Sequence, residues 1–284
     1  SSDLLVLSTG VLDDALRVAA HEHGAKLRVI SMPAAGTETY LKFLSETAFK
    51  EPRQRALLQV GFGAFIQDYL ANDAHLIKTA AIDSADLLRE YGYLVPDGLV
   101  STAVPTPDRA DWNVVLGDRL PAFRGQMEAL QADAADPRNP IRPYEQYVLR
   151  LASKTFNNVG FARVEAGDKE GAVPYFETAR ALYPDNISAL LNLLTLARDA
   201  KSPSLEPLEA DWKALVDRGL NNRVMQSLGH LYGYVYNTGY LVRNGMMWAV
   251  SGRPRMAEAE LRRAAGGQSV DPAAKAFQIG RASC

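Results

Sequence analysis

Three prolines fall within seven residues, at Pro137, Pro140 and Pro143. No helix runs through such a stretch, because each proline lacks an amide donor and its ring collides with the preceding turn. Residues 136–143 therefore separate two parts of the chain with different patterning. Before them, short apolar runs alternate with helical spacing. From Tyr144 onward everything reads as helix, with no convincing strand. A chain of 284 residues suits two ordinary domains. The expected fold class is an α/β N-terminal segment with a small parallel sheet, followed by an all-α region.

In the first part, residues 4–7 (Leu-Leu-Val-Leu) read as a buried parallel strand. Residues 13–23 carry the spacing of a helix, and Gly24 stops it. Residues 27–31 form a second strand, closed by Pro33. Together they predict a β-α-β unit with a parallel pair. Helices are expected over 37–48 and 53–70, the second interrupted by Gly61 and Gly63. A third strand is expected at 75–82, and a helix over 85–91 capped by Asp83 or Ser84. Residues 95–100 read as a turn leading into a short extended run. This places a Rossmann-like α/β segment at 1–105, a helical linker at 106–143, helical hairpins at 144–266 and a tail at 267–284. Within the linker, 112–134 reads as a helix broken at Pro121.

The helical region carries a repeat signal. Val159-Gly160, the turn Gly167-Asp168, then Ala172, Phe176, Ala179 and Pro184 follow one another at intervals that resemble the tetratricopeptide repeat. Gly160 and Ala172 are the small residues where two helices cross, Phe176 fills the space between them, and Arg163 stands where an aromatic is usual. Gly245, Gly252, Ala257, Leu261 and Ala264 repeat the spacing, with Pro272 slightly late. Such a hairpin cannot bury its apolar face alone and stacks on a neighbour. The spacing predicts three to four irregular hairpins, with helices over 187–200, 205–220 and 222–237. In this tetratricopeptide-like frame, the first helix of the better unit presents Lys154, Asn157, Phe161, Val164 and Glu165 on a concave face. That mixture suits an extended peptide. Gripping a terminal carboxylate would need support from the next unit, which Ser188 and Leu191 do not supply. Tyr232, Tyr236 and Tyr240 form a stripe if they lie on one continuous helix, as core between hairpins or as the lining of a groove.

Chemistry is sparse. Ser8, Thr9, Gly10 and Asp13 lie where the first strand meets the first helix, a position at which α/β sheets bind ligands. The segment lacks G-x-G-x-x-G and a phosphate-loop lysine, and Asp13 and Asp14 also read as first-turn acids that complement the helix dipole. His21 and His23 cannot share a helix face, and His75 and His230 have no companion at metal-ligand spacing. Asp83, Asp86, Asp97 and Asp108 are scattered carboxylates whose spacing does not bring them together. No catalytic residue, metal site or cofactor is assigned.

Lys and Arg number 31 against 33 Asp and Glu, a net charge of −2. This excludes a strongly basic nucleic-acid surface as the organising feature, and an acidic disordered tail. The one cysteine, Cys284, excludes an intramolecular disulfide and a cysteine-based metal site. Residues 224–242 are uncharged for long enough to span a bilayer, but Gln226, Ser227, His230, Asn237 and Thr238 make them read as a buried helix of a soluble domain. The chain opens Ser1-Ser2-Asp3 with a strand immediately after, so a segment upstream is expected.

The order of parts resembles the soluble C-terminal portion of an uncharacterised bacterial family of polytopic membrane proteins related to protein O-mannosyltransferases. The residues carrying the resemblance are Asp3-Leu4-Leu5-Val6-Leu7, Leu27-Arg28-Val29-Ile30-Ser31, Asp86-Leu87-Leu88, Tyr91-Gly92-Tyr93, the run 95–100, and 172–186. The family often has an Asn/Asp-rich loop after the first strand; this chain has Thr9-Gly10-Val11-Leu12-Asp13-Asp14. The resemblance implies an extracytoplasmic, periplasmic location on the bacterial inner membrane, anchored through an upstream region, with any glycosyl transfer belonging to that region. Without the resemblance the expected location is cytoplasmic. The expected function is a non-catalytic region that contacts a protein or peptide through helical repeats. The alternative is a nucleotide- or sugar-phosphate-binding enzyme or sensor domain centred on the α/β segment.

Overall fold

The computed structural model describes residues 3–22, 24, 26–73, 78–81, 93–104, 119–220, 224–225 and 227–266. The chain divides into two compact units, Ser1–Leu116 and Gly117–Cys284. Among the described residues its character is mostly helical, with the sheet in the first unit.

The first unit runs β1 (Asp3–Ser8), α1 (Asp13–Glu22), β2 (Lys26–Ser31), α2 (Glu38–Thr47), α3 (Pro52–Val60), α4 (Phe62–Asn72), β3 (Lys78–Ala81), β4 (Tyr93–Asp97) and β5 (Val100–Val104). The sheet order is β2-β1-β3-β5-β4. β1 pairs in parallel with β2 and β3, as the β-α-β reading expects. Leu5, Val6 and Leu7 of this inner strand are all fully buried, which explains a continuous apolar run rather than an alternating one. The parallel part of the sheet is extended by an antiparallel hairpin, β4–β5, where the sequence suggested a turn and a short run. Pro96 hides the strand, since proline is excluded from inner strands; β4 is an edge, where it is tolerated. Gly98, at φ +65°, makes the tight reversal. Gly61 ends α3 and opens α4 at φ +144°, a conformation that suits glycine. The residues expected to form a helix at 85–91, with Asp83, Ser84 and Asp86, lie outside the described residues, as do His23, His75, Asp108 and the tail.

The second unit holds α5 (Leu120–Ala134), α6 (Arg142–Glu165), α7 (Lys169–Leu182), α8 (Ile187–Ala200), α9 (Leu205–Asp217), a single turn α10 (Leu228–Leu231), α11 (Thr238–Val250) and α12 (Pro254–Gly266). The proline-rich stretch breaks the helix as expected but is a turn inside this unit. The division between units lies earlier, after Leu116. The segment read as a linker contains α5, which buries Leu120, Met127 and Ala134 and stacks Phe123 on Phe156 of α6, 5.7 Å between ring centroids. Pro121 starts α5 rather than breaking it, sitting in the first turn where no amide partner is needed.

Two helical hairpins, α6–α7 and α11–α12, share one register. A Cβ on Gly160 would lie 2.8 Å from the Phe176 ring; one on Gly245 would lie 2.5 Å from Leu261. Ala172 and Ala179 in the first hairpin correspond in spacing to Ala257 and Ala264 in the second, and all four are fully buried. Only glycine permits this approach, so the small-to-large matching seen in the sequence is a packing fact in both. Asp168 caps α7 by accepting a hydrogen bond from the Gly171 amide at 2.9 Å. That bond, with the Arg163 guanidinium beside it, holds the Asp168 carboxyl below the usual range.

Candidate functional site

The face of α6 is dictated by spacing. Arg150, Lys154, Asn157, Asn158 and Phe161 recur three, four or seven residues apart and so fall on one side of the helix. α8 sets Ser188 and Asn192 on one of its sides by the same rule, and Asn186 caps it by accepting from the Ala189 amide at 2.9 Å. Asn157, Ser188 and Asn192 are fully buried, and Asn158 and Asn186 nearly so. Burying an amide is unfavourable unless each of its polar atoms finds a partner.

The partner is the chain itself. Residues 232–237, expected as part of a continuous helix, are not helical: α10 ends at Leu231, and α11 begins at Thr238. This strap is held by its main chain. The Tyr234 carbonyl accepts from Asn157 Nδ2 and Asn192 Nδ2, both at 2.9 Å, and the Tyr234 amide donates to Asn158 Oδ1 at 2.9 Å. The Tyr236 amide donates to Asn192 Oδ1 at 2.6 Å. Asn186 Nδ2 reaches the Tyr232 carbonyl at 3.3 Å. Just upstream, Arg150 donates to the Leu231 carbonyl at 3.0 Å and Lys154 to that of His230. Asn192 also donates to Asn157 Oδ1 at 2.9 Å, so the two amides fix each other's orientation.

The strap's side chains alternate. Tyr234 and Tyr236 pack on Phe161, at centroid distances of 5.2 and 6.5 Å. Val235, fully buried, belongs to an apolar cluster with Ile187 and Leu228. Alternation of this kind is that of extended chain. Gly233 has φ +98°, and a Cβ there would collide with Asn158 Oδ1 and lie 2.6 Å from Asn157 Nδ2. The continuous helix therefore fails for two reasons: Gly233 breaks it, and buried amides capture the main chain it would have used. The tyrosine stripe fails with it. Tyr232 stacks on Tyr183 at 6.2 Å, and Tyr236 packs against Phe161 and lies 5.5 Å from the Lys169 ammonium. From α12, Arg263 lies 4.8 Å over the Tyr234 ring and pairs with Glu165 at 2.8 Å.

Of the residues expected to line a peptide groove, Asn157 and Phe161 meet the strap directly, and Lys154 bonds just upstream of it, to the His230 carbonyl of α10. Glu165 reaches the strap through Arg263, and Val164 is buried in the unit. Arg150, Asn158, Asn186 and Asn192 were missed by that reading. The signal that could have found Asn192 is its isolation, a single amide within the apolar run of α8.

In the first unit, Ser8, Thr9, Gly10 and Asp13 sit together in the β1–α1 connection. Ser8 is fully buried, and its Oγ accepts from the Gly10 amide at 3.2 Å. Gly10 has φ +98°, and its carbonyl accepts from the Asp13 amide at 3.4 Å. An open groove of this unit lies elsewhere, along β2 and α2, where Arg28, Phe43, Leu44 and Phe49 line it. Among the described residues, no cluster of three or more His, Cys, Asp or Glu side chains could hold a metal, and no helix is long and apolar enough to cross a membrane. No protein-family model, curated protein or solved structure matches this chain.

Proposed function

We propose that the second unit is a protein-interaction module, a tetratricopeptide-like helical array that binds extended polypeptide across α6 and α8. One observation supports this reading: the buried amides Asn157, Asn158 and Asn192 meet main-chain N–H and C=O groups of residues two apart. Side chains that read a backbone at that interval hold extended chain through its main chain, leaving specificity to the pockets beside it. The adjoining cations, Arg150 and Lys154, take carbonyls one after the other. In this reading the module belongs to a membrane-anchored bacterial protein related to protein O-mannosyltransferases. Fractionation of the native protein checks that part.

The binding reading is tested by selecting a displayed random-peptide library on the full chain and rescoring the binders on folded Asn157→Ala and Asn192→Ala variants. Peptides that bind the parent and are lost on both variants support it. A library that yields no peptide dependent on these amides sinks it.

A further inference from the structure

The strap satisfies the groove so completely that it resembles a bound ligand more than a piece of core. We propose that residues 232–237 are a built-in competitor, and that the natural occupant is a partner's extended segment of the pattern glycine–aromatic–apolar–aromatic, which displaces them. This rests on the peptide-binding reading above and names both its ligand and its regulation.

The pattern follows from the seats. At the first, a Cβ would strike Asn158 and Asn157, so only glycine enters, and φ +98° at Gly233 demands glycine again. At the second, the aromatic ring of Tyr234 meets both Phe161, at 5.2 Å, and the Arg263 guanidinium, at 4.8 Å, which also lies over the Phe161 ring. The third seat, occupied by Val235, is fully buried and apolar. The fourth places the Tyr236 ring near Phe161 and 5.5 Å from the Lys169 ammonium. Two main-chain amides and one carbonyl fix the register across these seats.

Displacement is favoured by how the strap is held. Of its side chains only Val235 is buried; Tyr232, Tyr234 and Tyr236 are half-buried and Asn237 is exposed. At Tyr234 and Tyr236 its main-chain bonds go to side chains of α6 and α8, while its ends bond main chain to main chain, the Tyr232 and Gly233 amides to the Leu228 carbonyl and the Leu241 amide to the Asn237 carbonyl. A competing segment can therefore remake the bonds of Tyr234 and Tyr236 while the ends of the strap stay joined to α10 and α11. Arg263, joined to Glu165 at 2.8 Å, lies over the Phe161 and Tyr234 rings.

The probe is a fluorescent synthetic peptide copying residues 228–238, beside a second copy with valine in place of the glycine that corresponds to Gly233. It is titrated into the full wild-type chain and into a Tyr234→Ala/Tyr236→Ala double variant, which weakens the strap's anchors and leaves the groove intact. Because apparent affinity scales with the fraction of molecules whose groove is open, the double variant is expected to bind at least about tenfold more tightly than wild type. The valine peptide binds neither, and adding Asn192→Ala abolishes binding. A folded double variant that fails to bind the glycine peptide overturns the proposal. If library peptides of other patterns still bind through Asn157 and Asn192, only the competitor and its pattern are lost; if none binds, the peptide-binding reading falls too. Should the double variant not fold, amide exchange in wild type decides. Exchange at Tyr234 and Tyr236 much faster than at the slowest amides of α6 and α8 supports a displaceable strap. Exchange at the same rate makes it a fixed strut.

Discussion

The two compact units bury their centres by opposite means. In the first, the core is dry and aromatic. Phe49 meets Phe65 edge-on at 4.6 Å, and Phe65 stacks on Tyr69 at 5.7 Å, with Leu5, Leu7 and Ile30 of the sheet in the same cluster. In the second, fully buried Asn157 and Asn192 sit among the helices and bond to a non-helical segment, and fully buried Ser188 donates to the Leu228 carbonyl of α10. Apolar contact is non-directional and rewards any close fit. Amide contact rewards one arrangement and penalises the rest. The first unit's core thus specifies compactness, and the second's specifies which residues must lie in the groove.

Two truncations sharpen that contrast, and the larger effect is expected in the dry core. Phe65→Ala removes a fully buried ring and should cost about 4 kcal/mol, by transfer and by the cavity left behind. Denaturant unfolding measures it, and amide exchange should show the loss confined to the first unit. Asn192→Ala deletes one buried side chain that serves the Tyr234 carbonyl, the Tyr236 amide and Asn157. Leaving those groups unpaired should cost about 3 kcal/mol, with exchange at Tyr236 rising first. If Asn192→Ala were neutral, the amides would be no more than filler and the comparison would fail.

A smaller effect tests the shared register of the hairpins. Gly160→Ala drives a methyl into the Phe176 ring and should cost about 2 kcal/mol through overpacking. Gly245→Ala meets Leu261 and the Ala257 carbonyl and should act in the same direction. Melting curves of both variants check this; two neutral substitutions would dissolve the structural equivalence of the hairpins.

What was legible in the sequence divides along the same line. Apolar spacing and small-to-large matching are local signals, so β1, β2, the hairpin register and the break at Gly61 could be read directly. The β4–β5 hairpin could not, because Pro96 argues against a strand until its edge position is known. The groove was half visible. Lys154, Asn157 and Phe161 stand on one helix face, where periodicity finds them. Asn158, Asn186 and Asn192 reach the strap through partners 40 or more residues away in the chain, at Tyr232, Tyr234 and Tyr236. Residues 224–242 were misread because spacing every four residues favours a helix in isolation, and nothing local records the amides waiting to take the strap's backbone.

The gentlest test of the strap is alkaline pH. Tyr183 and Tyr232 stack with ring planes 28° apart. Burial, first, and the Asp185 carboxylate push both phenols upward; for Tyr232 the Tyr183 phenol adds to this, while Arg150 opposes it in both. A phenol whose folded value is raised stays neutral longer in the folded chain than in the unfolded one. Its contribution is therefore fully present below the ordinary tyrosine range, about 10, and is lost as pH rises through the raised folded value. The strap should loosen in that window, with tyrosinate absorbance and amide exchange at Tyr234 changing together. Tyr183→Phe removes one ionisable partner and should move the onset of Tyr232 ionisation to lower pH and make the loosening smaller, because the Tyr183 phenol no longer holds the Tyr232 value up. An onset unmoved by Tyr183→Phe, or one coincident with loss of all helical signal, would show that the strap opens only when the whole unit does, and the second unit's polar centre would then be as rigid as the aromatic core of the first.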